Sequence, residues 1–249
     1  MKTFCIGDIH GGYKSFIQCL ERSGFDKKRD KLICLGDVAD GWSEVPEVFD
    51  ELLTIDNLIY IIGNHDYWLL DYFNTASRPH IWTSQGGKST LQSYESLKNM
   101  MEFNRIDAHH KLLRNSYYHY KDDNNRVFVH GGFNWYKSLE ENYGKDIMWD
   151  RNMYFTALYW QFQHDERGEK LNTFKDYNEI FVGHTTTNYI GTHKFNSIVP
   201  SDKPVHVSNL WNLDQGGGHE GKLTIMDVDT KEYWQSDLVK DLYPNEKGR

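Results

Sequence analysis

The first third of the chain alternates short apolar runs with amphipathic ones. Thr3 to Ile6, Leu32 to Leu35 and Leu58 to Ile62 are short, apolar and followed by glycine, which predicts buried β-strands. Between them, Gly12 to Ser23 sets Phe16, Ile17, Cys19 and Leu20 on one side, and Val45 to Ile55 sets Val45, Val48, Phe49, Leu52 and Leu53 at helical spacing. Tyr67 to Phe73 opens another helix. This βαβαβ order implies parallel strands joined by helical crossovers.

Beyond residue 74 the pattern loosens. Residues 74–115 read as a helical insertion near a site entrance, with a helix over Ser89 to Met101. Arg126 to Val129 and Glu179 to Val182 are strands, and Tyr136 to Gln163 is helical and rich in aromatics. Leu210 to Leu213, Lys222 to Val228 and Glu232 to Gln235 predict a β-meander with tight turns. The expectation is one α/β domain over residues 1–243 and a flexible tail over 244–249.

Composition narrows the class. The chain has 249 residues, 39% hydrophobic and 26% charged, a globular balance. A formal net charge of −8 weighs against a nucleic-acid backbone as partner but does not exclude small phosphorylated substrates. Cys5, Cys19 and Cys34 form no C-x-x-C pair, so neither a disulfide framework nor a thiolate metal site is indicated. No apolar run suits a membrane span or a secretory leader, and a cytoplasmic protein is the expectation. Most of the 15% aromatic content reads as packing, not a base-stacking surface.

The chemistry lies just after the strands. Gly7-Asp8-Ile9-His10-Gly11, Gly36-Asp37-Val38-Ala39-Asp40-Gly41, Gly63-Asn64-His65-Asp66, His130-Gly131-Gly132 and Gly183-His184-Thr185 each follow their own strand. Parallel strands present their carboxyl ends on one edge of a sheet, so these groups should converge. Any one of them alone reads as a turn, a helix cap or a structural histidine. Five in succession read as a metal site of carboxylate, imidazole and amide donors, which suits Mn²⁺, Fe or Zn²⁺. Six candidate ligands exceed what one catalytic ion with open positions needs, and suit two ions sharing a carboxylate. His109, His110, His206, His219 and Asp214 read as surface, edge or turn residues.

The blocks GDIHG, GDVADG, GNHD, VHGG and FVGHT resemble, in order, those of the calcineurin-like metallophosphoesterases. The likeness is to the phosphoprotein phosphatase branch, which includes the bacteriophage lambda type phosphatases and the diadenosine tetraphosphatases. The first three blocks stand about 27 to 29 residues apart, as in that branch, and LWNLDQGGGHEGKLTIMDV is similar to the phage-type ending. The resemblance implies a sandwich of two mixed β-sheets flanked by helices, with metals at one edge. It further implies that Asp8 and His10 hold the first ion, Asp37 bridges, and Asn64, His130 and His184 hold the second. His65 would be the general acid, oriented by Asp40. Hydroxide generated by the metals would then attack a phosphate monoester, protein-borne or small; a dinucleoside polyphosphate is the alternative, and a non-catalytic scaffold the remote one. The family's arginine after the second Asp of its second block is Gly41 here, and Ile62 stands where relatives often carry another. Arg151, in Met148-Trp149-Asp150-Arg151, resembles the phage-type Trp-x-Arg and is the candidate phosphate clamp. Thr186 stands where nuclease relatives carry a second late histidine. The segments from Trp68 to Trp82 and from Trp135 to Trp160 are expected to wall the pocket.

Overall fold

A computed structural model of the chain describes residues 1–97, 100–165, 173–187 and 201–249. Strands β1 (Thr3–Ile6), β2 (Lys31–Cys34) and β3 (Asn57–Tyr60) are parallel, with Thr3 beside Lys31 and Lys31 beside Asn57. The crossovers are α1 (Tyr13–Ser23) and α2 (Val45–Leu53), whose buried faces carry Phe16, Cys19 and Leu20, and Val48, Phe49 and Leu52. Gly24, in the left-handed region at φ 65°, ends α1, and Pro46 lies in the first turn of α2.

Helix α3 (Asn64–Thr75) starts three residues earlier than the apolar pattern predicts. The reason is Asp66 at the third helical position, whose Oδ2 accepts from Gly63 N at 3.1 Å and satisfies a free amide at the helix start. Asn64 and His65 are therefore fixed in the first turn. After α3 come α4 (His80–Trp82), a kinked turn at Thr83–Gly87, α5 (Lys88–Glu95) and α6 (Met100–Arg114). The helix predicted over Ser89 to Met101 divides between α5 and α6, and residues 98–99 within it lie outside the described residues.

The second half builds β4 (His119–Lys121), β5 (Arg126–Val129), α7 (Lys145–Trp149), α8 (Asn152–Asp165), β6 (Glu179–Val182), β7 (Val205–Val207) and β8 (Leu210–Asn212). These are followed by β9 (Thr224–Asp227), β10 (Tyr233–Gln235) and the short α9 (Val239–Leu242). Two mixed five-stranded sheets result, ordered β10-β9-β1-β2-β3 and β4-β5-β6-β8-β7, with helices against them. Cys5, Ile33, Leu35, Met226 and Val228 of one sheet meet Phe128, Phe181 and Leu213 of the other, all nearly or wholly buried, with Phe128 stacked on Phe181 at 4.8 Å. Burial of each such side chain contributes about 1.5–3 kcal/mol.

The predicted meander is corrected. β8 pairs parallel to β6 (Ile180 beside Leu210), whereas β9 pairs antiparallel to β1 (Phe4 beside Asp227). The glycine-rich stretch between them carries the chain from one sheet to the other. β8 instead forms a hairpin with β7, turning at Ser208 with φ 57° and Asn209. The tail is also corrected: residues 244–249 are laid against the body of the protein. Glu246 accepts from Ser43 N and Oγ at 2.9 and 2.8 Å, and Arg249 N donates to Gly218 O at 2.9 Å. Among the described residues no helix is long and apolar enough to cross a membrane.

Candidate metal centre

All five loops meet at the carboxyl ends of β1, β2, β3, β5 and β6. Their conformations are costly ones. His10, Asp37, Asp40 and His184 lie at φ 50°, 48°, 71° and 64°, half of the eight non-glycine residues with positive φ among those described. Each such residue costs on the order of 1 kcal/mol and persists only where the surroundings hold it. Close approach also matters. A Cβ on Gly63 would stand 2.1 Å from Asp37 Oδ1, so only glycine lets the β3 loop reach that carboxylate.

Asp8, His10 and Asp37 form one group of converging donor atoms, and Asp37, His130 and His184 another, with each group's atoms within 4.8 Å of one another. Asp37 belongs to both. Its Oδ2 lies 3.3 Å from His130 Nε2 and 3.7 Å from His10 Nε2, while Oδ1 accepts from His65 N at 2.9 Å. His10 Nδ1 donates to Ala39 O at 2.9 Å and His130 Nδ1 to Leu35 O at 2.8 Å, which turns the Nε2 atom of each ring inward. Asn64 Oδ1 is 3.2 Å from His130 Nε2. Asp8 Oδ2 accepts from His184 N at 3.0 Å, joining the β1 and β6 loops.

The donors fit a cation. Five buried side-chain atoms lack a hydrogen-bond partner among the described residues: Asp8 Oδ1, His10 Nε2, Asp37 Oδ2 and both ring nitrogens of His184. Orphaned polar atoms cost free energy unless something binds them, and these five point to one place. Burial alone would push the His130 imidazole down, but the adjacent Asp37 carboxylate, helped by Asp8, raises it to about 9. Burial opposes ionisation of Asp37, yet His130 and His65 hold its carboxyl well below the usual range. His10 and His184 are pushed down by burial, which keeps both in the neutral form a metal requires.

Behind the donors stands a sealed pair. His65 Nδ1 donates to Asp40 Oδ2 at 2.6 Å, and neither side chain is exposed. Asp40 also accepts from Trp82 Nε1 at 2.8 and 2.9 Å and from Thr90 Oγ1 at 2.8 Å. Arg151, between α7 and α8, donates through Nη1 to His184 O and Thr185 Oγ1, both at 3.0 Å. Trp68 sits edge-on to His65 with ring centroids 5.0 Å apart, and to Trp149 at 5.7 Å. Tyr67, Trp68 and Trp149, with Ile81 and Lys145, line an open cavity of about 380 Å³. Two of the supposed wall residues lie elsewhere: Trp82 is wholly buried and bound to Asp40, and Trp135 packs on Phe174.

Sequence reasoning missed three contributors. Asp66 Oδ1 accepts from Val38 N and Ala39 N at 2.8 and 2.9 Å and pins the loop that carries Asp37; its place three residues after Gly63 was the available signal. Asp214 is buried, with Oδ1 accepting from Gly216 N at 2.9 Å as a turn former does, but with Oδ2 unpaired and its charge raising Asp8. Arg249 reaches His65 from a segment read as a flexible tail. His109, read as exposed, is buried and bonded to Tyr94 and Asp50 at 2.9 Å each, because α6 packs on α2 and α5.

A two-sheet α/β sandwich whose strand-end loops bring together two donor groups sharing one carboxylate defines a metal-dependent hydrolase. The chain belongs to the calcineurin-like phosphoesterase family, whose sequence profile matches residues 1–193. The family uses divalent metal ions. The chain is 30% identical over 134 residues to a symmetrical bis(5'-nucleosyl)-tetraphosphatase of Pseudomonas fluorescens, covering 53% of this chain and 43% of that protein. It is 37% identical over 79 residues to its counterpart in Klebsiella pneumoniae, covering 31% and 28%. The matched stretch thus spans less than half the length of these relatives. A cold-active protein-tyrosine phosphatase of a Shewanella species shares the fold with a TM-score of 0.56 at 15% identity, over 95% of this chain and 80% of that one. A protein serine/threonine phosphatase from Saccharomyces cerevisiae does so with a TM-score of 0.53 at 13% identity, over 95% and 80%.

Proposed function

We propose that the chain is a dinuclear-metal phosphoester hydrolase with dinucleoside polyphosphates as its substrate class. The observation that carries the reading is the position of Asp37, one carboxylate facing the donors of both groups. Asp8 and His10 would hold one ion and Asn64, His130 and His184 the other, with Asp37 between them. Two divalent ions held there, with Mn²⁺ suited to these oxygen and nitrogen donors, would acidify water and neutralise phosphoryl oxygens. His65 would deliver a proton from Nε2 to the departing oxygen, while Asp40 on Nδ1 fixes the ring. Trp82 and Thr90 keep Asp40 from turning away. Arg151 steadies the His184 loop and offers its remaining donors to a phosphoryl oxygen.

The substrate class is supported by the aromatic cavity beside His65, since Tyr67, Trp68 and Trp149 offer ring faces on which a nucleobase can stack. The names of the relatives agree with it. A phosphate monoester, protein-borne or small, is the second reading, favoured by the likeness of the motif set to the phage-type phosphatases. The test is turnover by the Mn²⁺-loaded protein of diadenosine tetraphosphate, p-nitrophenyl phosphate and a phosphopeptide, with Asp37→Asn as control. Preference for the dinucleotide, with its KM raised about tenfold in Trp68→Ala and that for p-nitrophenyl phosphate unchanged, supports the nucleotide reading. Preference for the monoesters overturns it in favour of the second, and no turnover of any of them overturns both.

A further inference from the structure

A phosphoryl group carries negative charge, so fixed cationic donors beside the metals help a site to grip one. Position 41 is glycine, and Arg151 already spends Nη1 on the His184 loop. A second guanidinium nevertheless stands in the site. Arg249 Nη1 donates to His65 Nε2, the atom that must face the leaving oxygen if His65 is the acid. Its Nε points at His219 Nε2 at 3.3 Å, while its backbone bonds Gly218 O through N and His219 Nδ1 through O, each at 2.9 Å.

This placement is built. Tyr243 stacks on Trp42 with centroids 5.1 Å apart, Glu246 clamps Ser43, and Lys14 N donates to the Tyr243 hydroxyl at 3.0 Å. Gly86 supplies the last step, because a Cβ there would lie 2.9 Å from Arg249 Cβ and 2.7 Å from Gly41 N. Two glycines, at 41 and 86, thus adjoin the channel through which Arg249 enters.

Both acceptors of the Arg249 side chain are imidazole nitrogens, and among the described residues no carboxylate forms an ion pair with it. A half-buried guanidinium with donors in a planar fork, in no ion pair among the described residues and adjoining the proton donor, is suited to a phosphoryl anion.

We propose that Arg249 is a substrate-binding residue that grips the phosphoryl oxygens, supplying from the C-terminal segment the guanidinium that position 41 lacks. The assignment rests on the reading of the site as a phosphoester hydrolase. Before substrate arrives the guanidinium rests on His65 Nε2. An incoming phosphoryl group draws it away and uncovers that nitrogen.

Titration of inorganic phosphate into the Mn²⁺-loaded full chain by calorimetry tests this without turnover, alongside kcat, KM and bound metal. Arg249→Ala is expected to weaken phosphate binding at least tenfold and to raise KM by a similar factor, with wild-type metal content, and Arg249→Lys to lie between the two. Phosphate affinity within twofold of wild type in Arg249→Ala overturns the proposal. So does a rise in kcat/KM, which would make the segment an inhibitory plug. Should Arg249→Ala fail to fold, Arg249→Lys decides: severalfold weaker phosphate binding with metals intact supports the assignment, and unchanged binding overturns it. A wild type that turns over no phosphate ester overturns the hydrolase reading, whereas an active wild type with Arg249→Ala unchanged overturns only the role of Arg249.

Discussion

His65 Nδ1 and Asp40 Oδ2 lie 2.6 Å apart with no solvent access to either side chain. The pair comes from two different strand-end loops, so its closeness is a property of the fold and not of local sequence. Replacing Asp40 with Asn keeps the shape but removes the charge that faces the imidazole. Asp40→Asn should lower kcat about 100-fold, the lower end of general acid catalysis, with KM held. The loss should shrink for esters with good leaving groups, which need no proton. Equal loss across a series of leaving groups would remove His65 from the acid role.

Asp37 serves both donor groups, so its removal should be felt by both ions. Asp37→Ala is expected to reduce activity by at least about 1000-fold and to drop bound metal from two per chain toward none, measured by elemental analysis. An unchanged metal count would rule out the shared carboxylate.

The same cluster ties metal to stability. Five buried orphan atoms lose their compensation when the ions are stripped. Chelation should lower Tm by roughly 5–10 °C, because a ligand at about 100 times its Kd adds about 2.7 kcal/mol and a chain of this size shifts about 2–4 °C per kcal/mol. Readdition of Mn²⁺ should restore it. A Tm indifferent to chelator would mean that the donors hold no metal.

Gly63 gives a sharper geometric test. A methyl group there would meet Asp37 Oδ1 at 2.1 Å and must push the carboxylate aside. Gly63→Ala should lose metal affinity more than 10-fold while keeping far-UV circular dichroism. Wild-type metal affinity in that variant would show that the β3 loop yields freely.

Far from the site, Asp30 sets part of the acid limit. Burial favours its neutral form, but hydrogen bonds from Arg29 and from the backbone of Lys2 and Asp26 outweigh that and lower its pKa to about 2. A depressed folded-state pKa contributes stability above the unfolded value of about 3.9 that is lost as pH falls toward 2. Asp30→Asn should destabilise by about 1–2 kcal/mol at neutral pH, with the difference from wild type narrowing between about pH 4 and pH 2. A gap constant over that window in urea unfolding would contradict the assignment.

What the sequence made legible followed from where information is local. β1, β2 and β3 are continuous apolar runs closed by glycine, and each hands its loop one or two polar donors, so strand and site could be read together. Partner choice was not local. Leu210–Asn212 and Thr224–Asp227 look like neighbours in a meander, yet one completes the β6 edge and the other the β1 edge. Val205–Val207 offered only three residues of pattern. His109 looked polar because its neighbours are; only the packing of α6 on α2 and α5 hides it. Arg249 could not be found from spacing at all, since its position depends on Trp42, Ser43 and Gly86, each remote in sequence.

Trp82 and Thr90 belong to the helices between β3 and β4, yet their donors fill two approaches to Asp40. The stretch most easily dismissed as ornament is thus the back wall of the Asp40–His65 pair. A chain that shortened or exchanged those helices would keep its metals and its sheets and still leave a buried carboxylate free to drift from its imidazole. Variation there is constrained at a distance: the outer face can diverge with its surroundings, while the two residues that point inward are tied to the Asp40–His65 pair.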